Sequence, residues 1–153
     1  MNSLKYSFSL FFVSFDHLQN KKLKRTAILF SGISHFIYGI LTFSLPFYKA
    51  EFIRYGEAWP KISEAFDHFR ELIGGAQIVF GICLLIGLYS YKSDDFQVCK
   101  ALRLFSSLAL FLLMGGALGT RVYIGDGLLD TAPSLFYLII NLFIFIDVKN
   151  FKR

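Results

Sequence analysis

At 153 residues the chain has the length of a single domain. Hydrophobic residues make up 55% of it and the mean hydropathy is +0.53, so a water-soluble fold would have to hide most of its surface in one small core. The net charge of +5 would hint at nucleic acid in a soluble chain, but here the basic residues flank apolar runs. Membrane topology explains them, and no nucleic-acid partner is expected.

In residues 1–20, Leu4, Phe8, Phe11, Phe12, Phe15 and Leu18 recur at helical spacing, which fits an amphipathic helix lying in the membrane interface. A signal peptide with Lys5 as its basic region is the competing reading, although no small-x-small cleavage site follows. An overextended start is the third. Lys21, Lys22, Lys24 and Arg25 then form the strongest basic cluster, directly before the first apolar run, and so belong on the cytoplasmic side.

The first span is expected over about 26–45, closed by Pro46; no Asp, Glu, Lys or Arg occurs from Thr26 to Tyr48. Gly32, His35, Gly39 and Thr42 share one small and polar face. His35 sits near mid-depth, either as a proton relay or ligand contact or as one half of an interhelical hydrogen bond. Phe47 to Asp67 reads as an outer link. Its aromatics Tyr48, Phe52, Tyr55 and Trp59 suit an interfacial belt or, in a sharper reading, a lid over a substrate. Pro60 suits the start of a helix that runs on into the second span, about 69–89. There Arg70, Gly74, Gln77 and Gly81 fall on one stripe, where close approach at the glycines would set a neighbouring helix against the polar pair.

A polar cytoplasmic link, Ser90 to Lys100, leads to the third span, about 101–124. It carries Gly115 and Gly119 at GxxxG spacing and ends at Gly125-Asp126-Gly127, a turn signal. The fourth span, about 132–147, has Asn141 at mid-depth; its short apolar run calls for local thinning of the bilayer or an interfacial Asp147. The expected architecture is therefore an all-α membrane protein, a four-transmembrane-helix bundle over 26–147. An amphipathic and basic segment (1–25) precedes it and a basic tail (148–153) follows. Ten Lys and Arg fall on the proposed inner side and five on the outer, which puts both termini in the cytoplasm. Cys83, in mid-helix, and Cys99, in the link, form no CxxC pair and read as a packing residue and an ordinary thiol.

Arg70 opens the second span and Arg121 nearly closes the third, so an antiparallel hairpin sets both guanidinium groups at one membrane face. An unpaired arginine costs about 2.5–3.5 kcal/mol at the worst depth and demands a partner. Asp67, Glu71, Asp126 and Asp130 are the candidates. One reading is an anion or polar-headgroup site with Arg70 and Arg121 as donors and Gln77, His35 and Asn141 lining a polar interior. The other is a structural ion pair with snorkelling to lipid phosphate. Gly74, Gly75, Gly115, Gly116 and Gly119 are the candidate helix-packing positions. The three histidines lack zinc spacing, so no metal site is expected. There is no GxSxG, Walker or GxGxxG motif, and no pair of similar halves as in inverted-repeat transporters. No catalytic residue can be named.

FRELIGG at Phe69–Gly75, GGALGTR at Gly115–Arg121 and the Asp126–Gly127 pair resemble the DoxX-like superfamily of small bacterial membrane proteins. The likeness is to a branch with arginine–Gly-Gly on the second helix and glycine–arginine on the third, and it covers roughly Thr26 to Ile146. It implies a four-helix bundle in the cell membrane and a functional interest in Arg70, Gly74, Gly75, Gly115, Gly116, Arg121, Asp126 and Gly127. Some members of that superfamily are subunits linked to quinone-dependent oxidation of sulfur compounds or to oxidative-stress complexes, so a quinone is a conceivable cofactor.

Three functions stay open at this point. The first is a non-enzymatic protein that binds a lipid, quinone or other amphipathic molecule, or serves as accessory subunit to a protein partner or a second copy of itself. The second is a quinone-linked redox subunit using His35. The third is a purely structural membrane protein.

Overall fold

The structure, a computed structural model, describes residues 21–62, 65–89 and 96–150. The N-terminal segment of the sequence reading, most of the cytoplasmic link and the last three residues of the tail lie outside these. The described residues form five helices, α1 (Lys21–Ser44), α2 (Pro46–Ala58), α3 (Ala65–Tyr89), α4 (Phe96–Tyr123) and α5 (Leu128–Asn150), with a 3-10 turn at Pro60–Ile62. Four of them, α1, α3, α4 and α5, carry an apolar stretch of 21 to 27 residues. At 1.5 Å per residue each is long enough for a hydrocarbon layer about 30 Å thick. The chain is an all-α, four-helix membrane bundle.

What lies inside and outside supports the same conclusion. Phe30, Ile33, Ile37 and Ile40 make an exposed apolar face on α1, while Ser31, His35, Gln77, Ser106, Ser107 and Asn141 are buried. Water would not tolerate that arrangement. Lipid does, because apolar faces cost nothing there and polar groups seek partners in the protein interior. The protein is a multi-pass membrane protein.

The four long helices form a ring in which α1 packs on α3, α3 on α4, α4 on α5, and α5 back on α1. Glycines decide the α1–α3 seam. A Cβ on Gly39 would stand 2.7 Å from the Gly74 carbonyl oxygen, and one on Gly81 would stand 2.8 Å from that of Gly32. Both distances are too short for any side chain, so only glycine lets the two backbones meet. The register is antiparallel, with Gly32 facing Gly81 and Gly39 facing Gly74. The helix-packing role expected of Gly74 thus has a geometric basis. For Gly75, Gly116 and Gly119 it does not: nothing lies within 4 Å of their Cβ positions, and at Gly115 only Leu138 comes near, at 3.4 Å. Spacing alone could not tell which glycines face a partner helix. The α3–α4 approach falls instead at Gly87, whose Cβ would meet the Arg103 side chain at 2.6 Å.

Helix ends account for two further differences. α4 begins at Phe96, so Cys99 is a buried residue of that helix and not part of a link, and Arg103 is buried one turn on. α5 begins at Leu128, with Pro133 inside its second turn, so the fourth span needs no thinning of the bilayer. At its far end Asp147 forms an ion pair with Lys24, tying α5 to the start of α1.

An apolar core of Ile28, Leu84, Leu110, Ile144 and Val148 fills the end of the bundle marked by that pair. Towards the opposite end, where α1 and α4 finish and α3 and α5 begin, the helices enclose a cavity.

Candidate functional site

The cavity has a volume of about 860 Å³ and draws its walls from all five helices. That is within the range of sites for drug-sized ligands. Its middle is aromatic and aliphatic, with Tyr38, Phe52, Phe66, Phe80, Leu113 and Tyr137 among the lining residues. It reaches the surface of the bundle between α3 and α4, where Leu72 and Leu112 line it and are 67% and 62% exposed. Polar groups stand at its two ends.

At the near end α2 supplies one wall. Leu45 is extended (φ −99°, ψ 126°) and Pro46 takes the first helical position, where its missing N–H costs nothing, so α1 stops and α2 turns away. Tyr48, Glu51, Phe52 and Tyr55 then fall on one face of α2, and that face lines the cavity. The aromatic segment of the sequence reading is thus a helix, with three of its four aromatics turned inward. Trp59 lies against Tyr123, ring centroids 4.6 Å apart.

Arg121 stands at the last turn of α4. Its guanidinium forms an ion pair with Glu51 and donates to the Asp130 carbonyl at 3.0 Å; Asp126 lies 3.4 Å away. The turn after α4 delivers Asp126. Gly125 has φ +78°, Gly125 N–H donates to the Val122 carbonyl, and Asp126 N–H donates to the Arg121 carbonyl. This glycine-capped helix end needs a left-handed residue, which glycine supplies without strain. Asp126 also pairs with Arg54 of α2 at 2.9 Å. Two guanidinium groups thus meet two carboxylates, and neither arginine offers a spare charge. Tyr55 is part of the same network. Burial pushes its phenol up from the ordinary range, and the charge of Glu51 and a hydrogen bond to it add to the effect.

Glu51 was not a candidate from the sequence. The signal was present, since Glu51 shares the helical face of Tyr48, Phe52 and Tyr55, but reading the segment as a link hid it. Asp126 is an ion-pair partner as expected. Glu71 stands 3.9 Å from Arg70 and is largely exposed, which makes a weak pair. The side chain of Asp67 lies outside the described residues.

Arg70 and Arg121 do lie at the same end of the bundle, but they do not converge on one site. Arg70 donates to the Thr42 carbonyl at 2.9 Å, holding the end of α1, and it does not line the cavity. The expectation of a two-arginine anion site is corrected on this point. Arg70 is engaged by the helix seam, and Arg121 by carboxylates.

The deep end is built from Gln77, His35 and Asn141. Ser31 Oγ donates to Asn141 Oδ1 at 2.7 Å, and Asn141 Nδ2 lies 3.0 Å from His35 Nε2. The serine bond directs the amide oxygen away from the histidine. The amide nitrogen can only donate, so Nε2 accepts and the neutral ring carries its proton on Nδ1, a tautomer assigned from this network. Asn141 therefore ties α1 to α5 and does not itself line the cavity, whereas His35 and Gln77 do. Two buried polar atoms there, His35 Nδ1 and Gln77 Oε1, have no hydrogen-bond partner among the described residues.

No family model matches the chain, and neither does any curated protein or solved structure.

Proposed function

We propose that this membrane protein binds an uncharged amphipathic small molecule, a lipid or quinone, in the cavity between its helices. The observation that carries the reading is the pairing of an aromatic-lined cavity of about 860 Å³ with a balanced ion network at its near end. A site for an anion needs unspent positive charge, and Arg121 and Arg54 have none to offer. The ion network instead holds α2 in place as one wall. The opening between α3 and α4 faces hydrocarbon, so a molecule dissolved in the bilayer can enter without crossing water.

A quinone belongs to this ligand class, and quinone-dependent turnover of the purified protein would distinguish a redox subunit from a binding protein. The DoxX-like assignment is a proposal resting on the motifs around Arg70 and Arg121. A cell-membrane location with both termini in the cytoplasm is likewise proposed, from the excess of basic residues on one side. So is service as an accessory subunit to a protein partner or a second copy.

Gly116 provides the test. It lines the cavity and has nothing within 4 Å of its Cβ position, so the side chain of Gly116→Leu starts in open space. Native mass spectrometry of the wild type should show a retained small molecule, and the variant should lose it while keeping its thermal midpoint. Identical retention in both would refute a ligand in this cavity.

A further inference from the structure

The attachment of α2 differs from that of the four long helices, and it bears on how the cavity exchanges its contents, given the ligand reading above. Proline stands at both joints of α2. Leu45 is extended before Pro46, and Trp59 leaves helical geometry (φ −127°, ψ 68°) before Pro60. Proline has no N–H to donate, so each joint interrupts the run of helical hydrogen bonds. The backbone of α2 packs on α3. Three side-chain pairs tie it to the end of α4 and the turn beyond: Glu51 with Arg121, Arg54 with Asp126 at 2.9 Å, and Trp59 with Tyr123. Only Tyr55 and Gly56 of its 13 residues are buried, so little apolar packing is lost if α2 swings away. The Arg54 side chain is half-exposed, and an ion pair open to solvent holds weakly.

We infer that α2 is a hinged lid over the near end of the cavity, whose opening passes the ligand between the cavity and the water at that membrane face. The two proline joints and the contact with α3 are the hinge. The pairs with Arg121 and Asp126 are the latch. Tyr48, Glu51, Phe52 and Tyr55 line the cavity from α2, so lifting the helix removes that wall. The cavity then has two exits of different character. The gap between α3 and α4 leads to hydrocarbon, and the lid leads to water. A protein that only stored a lipid would need the first alone; with both, it loads from the bilayer and releases to a soluble acceptor.

The test follows a fluorescent diacylglycerol from phosphatidylcholine liposomes containing the full chain to methyl-β-cyclodextrin in the surrounding buffer. Wild type should speed transfer over protein-free liposomes. Salt of about 1 M, where the Debye length is about 3 Å, should speed it further relative to the same control, because the probe is uncharged and the latch is not. Arg54→Cys/Asp126→Cys, with Cys83 and Cys99 replaced by serine, breaks the exposed latch pair at residues that do not line the cavity. Transfer should rise about two- to fivefold, the population change expected of one exposed ion pair. Joining the two thiols with a cleavable bifunctional maleimide should return transfer to the protein-free rate, and cleavage should restore it, with the probe retained in the native mass spectrum throughout. Transfer that cross-linking leaves unchanged, or that wild type does not speed, overturns the lid; the cavity reading survives if the probe is still retained. No retention of the probe or of any small molecule overturns both. Should the double variant not fold, the wild-type salt response decides, and a flat response counts against the lid.

Discussion

Arg121, in the last turn of α4, is held by Glu51, which reaches it from α2. The two residues are 70 positions apart in the chain, and their side chains are 18% and 10% exposed. Screening by solvent is therefore weak, and removing one partner strands the other in a poorly hydrated place. Glu51→Gln should lower the unfolding free energy in detergent by about 1–3 kcal/mol, with Asp126 limiting the loss. The double variant Glu51→Gln/Arg121→Gln should lose less than the two single losses together. Strict additivity would mean that the pair contributes nothing.

The glycines separate into two groups whose substitutions should behave oppositely. Gly39→Ala and Gly81→Ala place a methyl group against backbone atoms at 2.7–2.8 Å, so α1 and α3 must move apart. Each should lower the thermal midpoint strongly. Gly75→Ala meets nothing within 4 Å and should be neutral or raise stability by about 0.5–1 kcal/mol through helix propensity. Matched effects at Gly39 and Gly75 would contradict the seam.

Asn141 is the only described side chain bonded to both Ser31 and His35, and it is fully buried. Asn141→Leu keeps roughly its bulk but leaves His35 Nε2 without its donor. The expected cost is about 1–2 kcal/mol, the range for a polar bond between membrane helices. An unchanged thermal midpoint would contradict the tie that Asn141 makes between α1 and α5.

Topology can be tested at Lys61, an exposed residue of the 3-10 turn between α2 and α3. Lys61→Cys, in a chain with Cys83 and Cys99 replaced by serine, should react with a membrane-impermeant thiol reagent in intact cells. Cys99 itself is unsuited to such labelling, since it is buried in α4 on either orientation. Protection of Lys61→Cys until the membrane is opened would reverse the proposed orientation.

The number of spans was legible in the chain because lipid imposes a length and an absence of charge, both of which are properties of consecutive residues. The stripe of Gly74, Gln77 and Gly81 was legible for a similar reason, since helical spacing is fixed at 3.6 residues per turn. Spacing does not say which side of a helix meets a neighbour. Gly75, Gly116 and Gly119 looked equivalent to Gly74 in the sequence, yet only the packing of α1 on α3 gave Gly74 a partner. Partner choice among charges was decided in the same way. Arg70 and Arg121 shared a membrane face in the sequence, but Arg70 went to a carbonyl at the end of α1 and Arg121 to a carboxylate of a helix read as a link. Those outcomes depend on distances between segments far apart in the chain, which only the folded bundle sets.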